Sequence, residues 1–174
     1  MDPKDRRPAE WPDLDVRGML QQLTASGVDF VVIGGVAMIL HGSARVTRDL
    51  DIAFASDDPN LDALGEVLVE LGARLREVDE DVPFVPDGRT LRTVELLPLA
   101  TSRGWLDVHR GPPGAPRYEK LRRNAERVDL GGFSVLVASP DDLIVMKRAA
   151  GRTIDLSDIE ELDVIKRQRG RSAG

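Results

Sequence analysis

The chain of 174 residues has the length of a single domain, and its 41% apolar and 31% charged residues are typical of a globular protein with a sizeable core. It has no cysteine, which excludes disulfide bonds and thiolate metal sites. No apolar run approaches the roughly 20 residues that a membrane helix requires, and residues 1–15 lack the apolar segment of a signal peptide. We therefore predict a cytoplasmic protein with no membrane partner.

The net charge of −6 is spread unevenly along the chain. Residues 1–100 carry 10 basic and 19 acidic side chains, whereas residues 101–174 carry 14 basic and 11 acidic side chains. A mildly basic second part can help to hold a polyanionic ligand. It lacks the broad basic footprint typical of nucleic-acid-binding proteins, although it leaves an RNA ligand open.

We predict one folded domain with short ends. Residues 1–12, rich in proline and charge, indicate a flexible leader, residues 13–169 a single domain, and residues 170–174 a tail. Within the domain, apolar residues at helical spacing predict a first helix over residues 14–25, which ends near Gly27.

A buried strand and a glycine pair follow this helix. The apolar run over residues 30–33 has the length of one buried strand. Gly34 and Gly35 interrupt it, and residues 36–40 have helix-forming character. A glycine pair between a strand and a helix is by itself a weak signal, so its meaning depends on what comes next.

The next predicted strand, over residues 49–54, carries two carboxylates on one face. Because side chains alternate along a strand, Asp49 and Asp51 project side by side while the apolar residues between them face the core. Crowding two like charges adds nothing to stability, but a divalent cation such as Mg²⁺ binds carboxylate oxygens. The pair therefore predicts a metal site, and the alternative is a solvated strand edge.

One histidine and two arginines lie between the glycines and the aspartates. His41 is expected at the end of the helix that follows the glycines, in a structural role. Arg45 and Arg48 lie close to the two carboxylates in sequence, so an ion pair and phosphate binding remain equally open for them.

A third carboxylate occurs in a later strand. The pattern predicts a hairpin in which Trp105, Asp107 and His109 share one face of the second arm. Asp107 can therefore be a metal ligand or a buried structural residue. The other elements predicted from the pattern are a helix over residues 61–71, a mostly irregular segment over 75–85, hairpin arms over 93–99 and 105–109, a short helix or turn over 118–127, a strand pair over 128–130 and 133–138, and helices over 139–150 and 155–168.

The motifs together resemble the nucleotidyltransferase superfamily, which includes DNA polymerase beta, the CCA-adding enzymes and the antibiotic nucleotidyltransferases. The resemblance starts with a glycine pair that follows an apolar strand and precedes an Asp-x-Asp strand by thirteen residues. The pattern over residues 42–51 is similar to small bacterial nucleotidyltransferases, including toxins of the abortive-infection type. The run over residues 139–162 is similar to the closing helices of the same group.

This resemblance implies a fold and a reaction. The fold is mixed α/β (α+β), a mixed central sheet with helices packed against it and a helical C-terminal extension. The reaction moves a nucleoside monophosphate from an NTP to an acceptor hydroxyl and releases pyrophosphate. It also implies that Asp49, Asp51 and Asp107 are catalytic and bind one or two Mg²⁺ ions. The residues implied to bind the nucleotide are Gly34, Gly35, Arg45, Lys147 and Asp158.

The acceptor and the partners stay open at this point. RNA, a protein side chain and an aminoglycoside-like small molecule are all compatible acceptors, and a cognate antitoxin is a possible partner. The alternative function is a catalytically silent protein with the same fold, which acts as a toxin–antitoxin partner or as a nucleotide-binding module.

Overall fold

The computed structural model describes residues 13–76, 78 and 84–173. The leader predicted over residues 1–12 lies outside this part of the chain. None of the helices in the described ranges is long and apolar enough to cross a membrane.

The described residues form one seven-stranded mixed sheet with helices packed against it. In chain order the elements are α1 (Val16–Ala25), β1 (Phe30–Ile33), α2 (Gly34–Leu40), β2 (Asp49–Phe54), α3 (Asp58–Glu70), β3 (Arg74–Leu75), α4 (Gly88–Thr93), β4 (Leu96–Thr101), β5 (Gly104–His109), α5 (Tyr118–Asn124), β6 (Glu126–Asp129), β7 (Ser134–Val137), α6 (Pro140–Ala150) and α7 (Thr153–Ser172). The strand order in the sheet is β3-β4-β5-β2-β1-β7-β6.

The centre of the sheet fixes which polar residues become neighbours. Strand β2 pairs with β1 antiparallel and with β5 parallel. The register places Ile33, Asp51 and Asp107 in one row across these three strands. Because neighbouring strands lie about 4.8 Å apart, residues in this row that share a face come within reach of one small ligand.

The apolar faces of β2 and β5 anchor this arrangement in the core. Leu50, Ile52 and Phe54 are completely buried, as the alternation predicted, and Leu106 on β5 is buried beside them. Complete burial of an apolar side chain of this size stabilises the fold by about 1.5–3 kcal/mol. A slip of one residue would turn these side chains outwards, so their burial also fixes the direction in which the carboxylates point.

The closing helix α6 follows the predicted signals. Ser139 accepts a hydrogen bond from the backbone N–H of Asp142 as its N-cap, and Pro140 occupies the first helical position. Gly151 ends the helix with a left-handed backbone, φ 64°. Helix α7 then runs to Ser172, beyond residue 169, where the sequence predicted the end of the domain.

The predicted elements were wrong in one part of the middle segment. The prediction of a strand over residues 93–99 placed its start too early, because Gly88–Thr93 forms helix α4 and β4 begins at Leu96. Asp87 caps this helix by accepting a hydrogen bond of 2.8 Å from the backbone N–H of Thr90. The helix has only six residues and one buried apolar side chain, so it leaves no periodic pattern in the sequence.

Candidate active site

Two strands bring the predicted carboxylates to one face of the sheet. Asp51 on β2 and Asp107 on β5 are partners in the parallel register, and Asp49 lies two residues before Asp51 on the same face. The side chains of Asp51 and Asp107 are 19% and 13% exposed, so both face a shallow site that water can still reach. The structure therefore places the three predicted acids on one face, although only Asp51 and Asp107 belong to the compact group of potential ligand atoms described below.

A basic residue outside the predicted motifs holds Asp107. One terminal nitrogen of Arg76 donates to both carboxylate oxygens of Asp107, at 2.9 and 3.1 Å. The guanidinium also lies over the ring of Trp105, 4.5 Å from its centroid. This stacking and the hydrogen bonds together fix the guanidinium beside the carboxylates.

The environment raises the pKa of two of the acids. Burial raises the pKa of Asp107 to about 6; Arg76 opposes this rise, and the charges of Asp51 and Asp49 add to it. Burial also raises the pKa of Asp49, with a further contribution from the charge of Asp51. Asp49 in turn accepts a hydrogen bond of 3.3 Å from the hydroxyl of Thr47. Carboxylates crowded in this way gain from a cation that would compensate their charge.

His109 completes a compact group of potential metal ligands. Its Nε2 lies 3.0 Å from Oδ1 of Asp51. One potential ligand atom from each of Asp51, Asp107 and His109 lies within 4.8 Å of the other two. Among the described residues, this is the group of three side chains that could hold a metal ion. Two ligands at right angles in an octahedral site with bonds of ~2.1 Å are about 3 Å apart. The donor set therefore fits one divalent cation.

The sequence prediction did not include His109 or Arg76 among the site residues. A signal for His109 was present, because it shares a strand face with Asp107 at a spacing of two residues. Arg76 follows the two-residue strand β3 in the segment predicted to be mostly irregular. No local pattern marks it.

The predicted glycines permit a close approach between α2 and the acids. Gly34 has a left-handed backbone, φ 67°, and a Cβ atom there would lie 2.6 Å from Oδ2 of Asp51. A Cβ atom on Gly35 would lie 2.8 Å from the hydroxyl oxygen of Thr47. Any larger residue would therefore displace the side chains that support Asp49 and Asp51.

The other residues predicted to bind nucleotide form a charge cluster beside the glycines, in which Lys147 and Asp158 are buried and the side chain of Arg45 is 21% exposed. Arg45 donates to Asp158 at 2.5 Å, and Lys147 donates to the same carboxylate at 2.7 Å. A Cβ atom on Gly35 would lie 3.6 Å from Nε of Arg45, so the cluster adjoins the glycine turn. Lys147 is buried, 7% exposed, which differs from an exposed helix lysine.

Asp155 ties the cluster to the turn between α6 and α7. Its carboxylate lies 3.4 Å from Lys147 and accepts hydrogen bonds from the backbone and side chain of Arg152. Burial tends to raise the pKa of Asp155, but these hydrogen bonds and Lys147 outweigh it and the pKa is lowered. The hydrogen bond to Asp155 raises the pKa of Arg152, and the charge of Asp51 adds a smaller contribution.

A family model decides the assignment. The model of the nucleotidyl transferase AbiEii toxin, Type IV TA system, matches residues 19–153. The chain belongs to the AbiEii family. It is therefore a nucleotidyltransferase, and the predicted resemblance is confirmed. The match covers the glycines, the three acids and Lys147, whereas Asp158 and most of α7 follow it.

Solved structures show the same fold. The lincomycin-bound lincosamide antibiotic adenylyltransferase LnuA shares 16% identity, with 88% of this chain and 99% of that chain covered and a TM-score of 0.61. ANT(2")-Ia in complex with adenylyl-2"-tobramycin shares 15% identity, with 91% and 89% covered and a TM-score of 0.55. The AbiEii-family chain thus has the predicted nucleotidyltransferase fold. No curated protein matches the chain.

Proposed function

We propose that this AbiEii-family protein transfers a nucleoside monophosphate from an NTP to an acceptor hydroxyl, with release of pyrophosphate, in a reaction that depends on a divalent cation. The observation that carries the proposal is the parallel register of Asp51 and Asp107, with His109 closing the group of ligand atoms within 4.8 Å. Magnesium is the cation that the family resemblance implies.

The acids would hold the cation and direct the acceptor. Asp51 and Asp107 supply hard oxygen ligands, and Asp49 lies beside Asp51 to bind a second ion. When bound, the cation supplies charge stabilisation for the reacting phosphate oxygens. Asp107, beside the bound cation, would accept the proton of the attacking hydroxyl.

The glycine turn and the charge cluster would receive the triphosphate. Gly34 and Gly35 let the backbone approach the phosphates, because neither carries a Cβ atom. Arg45 and Lys147, both of which are paired with Asp158, would contact the phosphates from the side of the glycine turn. We assign Asp158 a positioning role, since it bonds both cations. Positioning and electrostatic stabilisation are the main sources of rate in phosphoryl and nucleotidyl transfer.

The acceptor and the partner are proposed from the family and from the solved structures. The family is described as a toxin of a type IV toxin–antitoxin system, so we propose a cognate antitoxin as the partner and a cytoplasmic location. LnuA is a lincosamide adenylyltransferase, and ANT(2")-Ia was solved with adenylylated tobramycin. Three classes of acceptor hydroxyl therefore remain to be tested: those of RNA, of proteins and of small antibiotics.

Incubation with each labelled NTP tests the proposal. RNA, total protein and aminoglycosides serve as separate acceptors, with Mg²⁺, with Mn²⁺ and with EDTA. We expect cation-dependent label transfer to one acceptor class, which Asp51→Asn abolishes, while Asp62→Asn on the exposed face of α3 leaves it unchanged. Full transfer activity in Asp51→Asn would refute the assignment. Absence of transfer with every acceptor, together with tight antitoxin binding, would favour the silent alternative.

A further inference from the structure

The group of potential ligands, Asp51, Asp107 and His109, differs from an all-carboxylate site because one of its ligand atoms is a histidine nitrogen. Nε2 of His109 lies 3.0 Å from Oδ1 of Asp51, so no water molecule fits between the two atoms. This contact is a hydrogen bond in which Nε2 carries the hydrogen, because an ionised carboxylate only accepts. A cation bound between Asp51, Asp107 and His109 would take the place of the hydrogen on Nε2, and the proton would pass to water while a neutral ring takes up a proton on Nδ1.

The backbone fixes His109 in this position. It is the last residue of β5, and it pairs in register with Ala53 on β2 and with Leu96 on β4. The preceding residue on the opposite face, Val108, is 1% exposed. The side chain of His109 is 15% exposed, so its ring lies against the site with little freedom to turn into water.

We propose that His109 is a direct metal ligand, and that its nitrogen makes the site prefer Mn²⁺ over Mg²⁺. The inference rests on the proposed function, since it concerns the same site. Mg²⁺ takes oxygen ligands and loses its bound water reluctantly. Mn²⁺ accepts carboxylate oxygens equally well and, as a first-row transition metal, binds imidazole nitrogen more readily.

The chain has two histidines, His41 and His109, so a spectroscopic test has only two imidazole rings to distinguish. His41 is buried at the end of α2, where Nε2 lies 2.8 Å from the carbonyl oxygen of Ala138 and Nδ1 lies 2.9 Å from a nitrogen of Arg169. Its ring is occupied by these contacts and lies outside the group of ligand atoms. Any nitrogen coupling to a bound Mn²⁺ ion that arises from histidine therefore reports on His109.

The experiment uses the full chain labelled with ¹⁵N at histidine. Electron paramagnetic resonance measures Mn²⁺ binding, and pulsed measurements detect directly bound ¹⁵N. Mg²⁺ affinity follows from competition with Mn²⁺. The variants are His109→Gln, whose amide oxygen replaces the nitrogen at similar reach, and His41→Gln as the matched control. Thermal unfolding in EDTA verifies that each variant is folded.

We expect ¹⁵N coupling in the native protein and in His41→Gln, and no coupling in His109→Gln. Loss of one ligand should weaken Mn²⁺ binding by roughly 10-fold or more, whereas Mg²⁺ binding should change by less than about threefold because an oxygen ligand takes the place of the nitrogen. Mn²⁺ that binds the native protein without ¹⁵N coupling, or with equal affinity in His109→Gln, would overturn the role of His109 and leave the proposed function standing. If neither cation binds with or without an NTP, both the inference and the proposed function fail.

Discussion

Asp107→Asn should stabilise the metal-free protein at neutral pH and leave its stability unchanged in acid. The native carboxyl has a pKa of about 6 instead of 3.8, so the folded protein binds this proton more tightly than the unfolded chain. The folded state therefore holds more protons between these two values, and the free energy of unfolding falls as pH rises. The loss of stability caused by ionisation of Asp107 is absent below pH 3.8 and complete above about pH 6.

The size of the effect follows from the shift. A rise of about two pKa units corresponds to about 3 kcal/mol, and solvent screening at this partly open site reduces the expected effect to about 1–2 kcal/mol. The asparagine keeps an amide oxygen that can accept a hydrogen bond from Arg76, so this contact is not lost completely. The charge of Arg76 then remains partly compensated by Asp49.

Urea unfolding in EDTA from pH 4 to pH 8 measures the difference between native protein and Asp107→Asn. We expect the variant to match the native protein near pH 4 and to exceed it by about 1–2 kcal/mol at pH 8. Asp62→Asn on the exposed face of α3 controls for the loss of one charge. A difference independent of pH, or a variant less stable at pH 8, would refute the account of Asp107 as a buried carboxyl that repels its neighbours.

Two further predictions concern the residues around the acids. Gly34→Ala should abolish nucleotidyl transfer, and urea unfolding should show a larger loss of stability than in Gly27→Ala. Both glycines have positive φ, so alanine adds about 1–2 kcal/mol of backbone strain at either position. Only at Gly34 would the added Cβ atom also contact Asp51. Equal losses in both variants would contradict the close approach. Lys147→Met should destabilise the protein by about 2–4 kcal/mol, because Asp158 loses a buried partner. The exposed neighbour Arg148→Met should change stability by less than about 0.5 kcal/mol, and equal effects would show that the burial of Lys147 is unimportant.

The strands that carry the acids could be predicted because their physics is local. The alternation of polar and apolar residues over 49–54 predicts which side chains face the core without any knowledge of the partner strands. Ser139 and Gly151 likewise marked the ends of α6 through capping preferences that act within one turn. Helix α4 escaped prediction because six residues give too short a stretch for a helical period.

The cluster around Lys147 was predicted only as a set of separate residues. The resemblance implied that Lys147, Arg45 and Asp158 bind nucleotide, but their contact depends on the packing of α7 against the turn before β2. The sequence separation between Arg45 and Asp158 is 113 residues. Burial of the charges of Lys147 and Asp158 is tolerable only when each is paired, so this cluster also fixes α7 in place beside the site.

Charge compensation explains why Arg76 lies beside Asp107 although no motif contains it. Three carboxylates on one face would repel one another, and burial makes each charge more costly. A guanidinium at 2.9 Å offsets part of this cost in the metal-free protein. Arg76 reaches its position because β3 pairs with β4, β4 pairs with β5, and Trp105 supports the guanidinium from below. This contact is a consequence of the order of strands in the sheet, and a motif can identify the acids without containing the residue that makes their proximity tolerable.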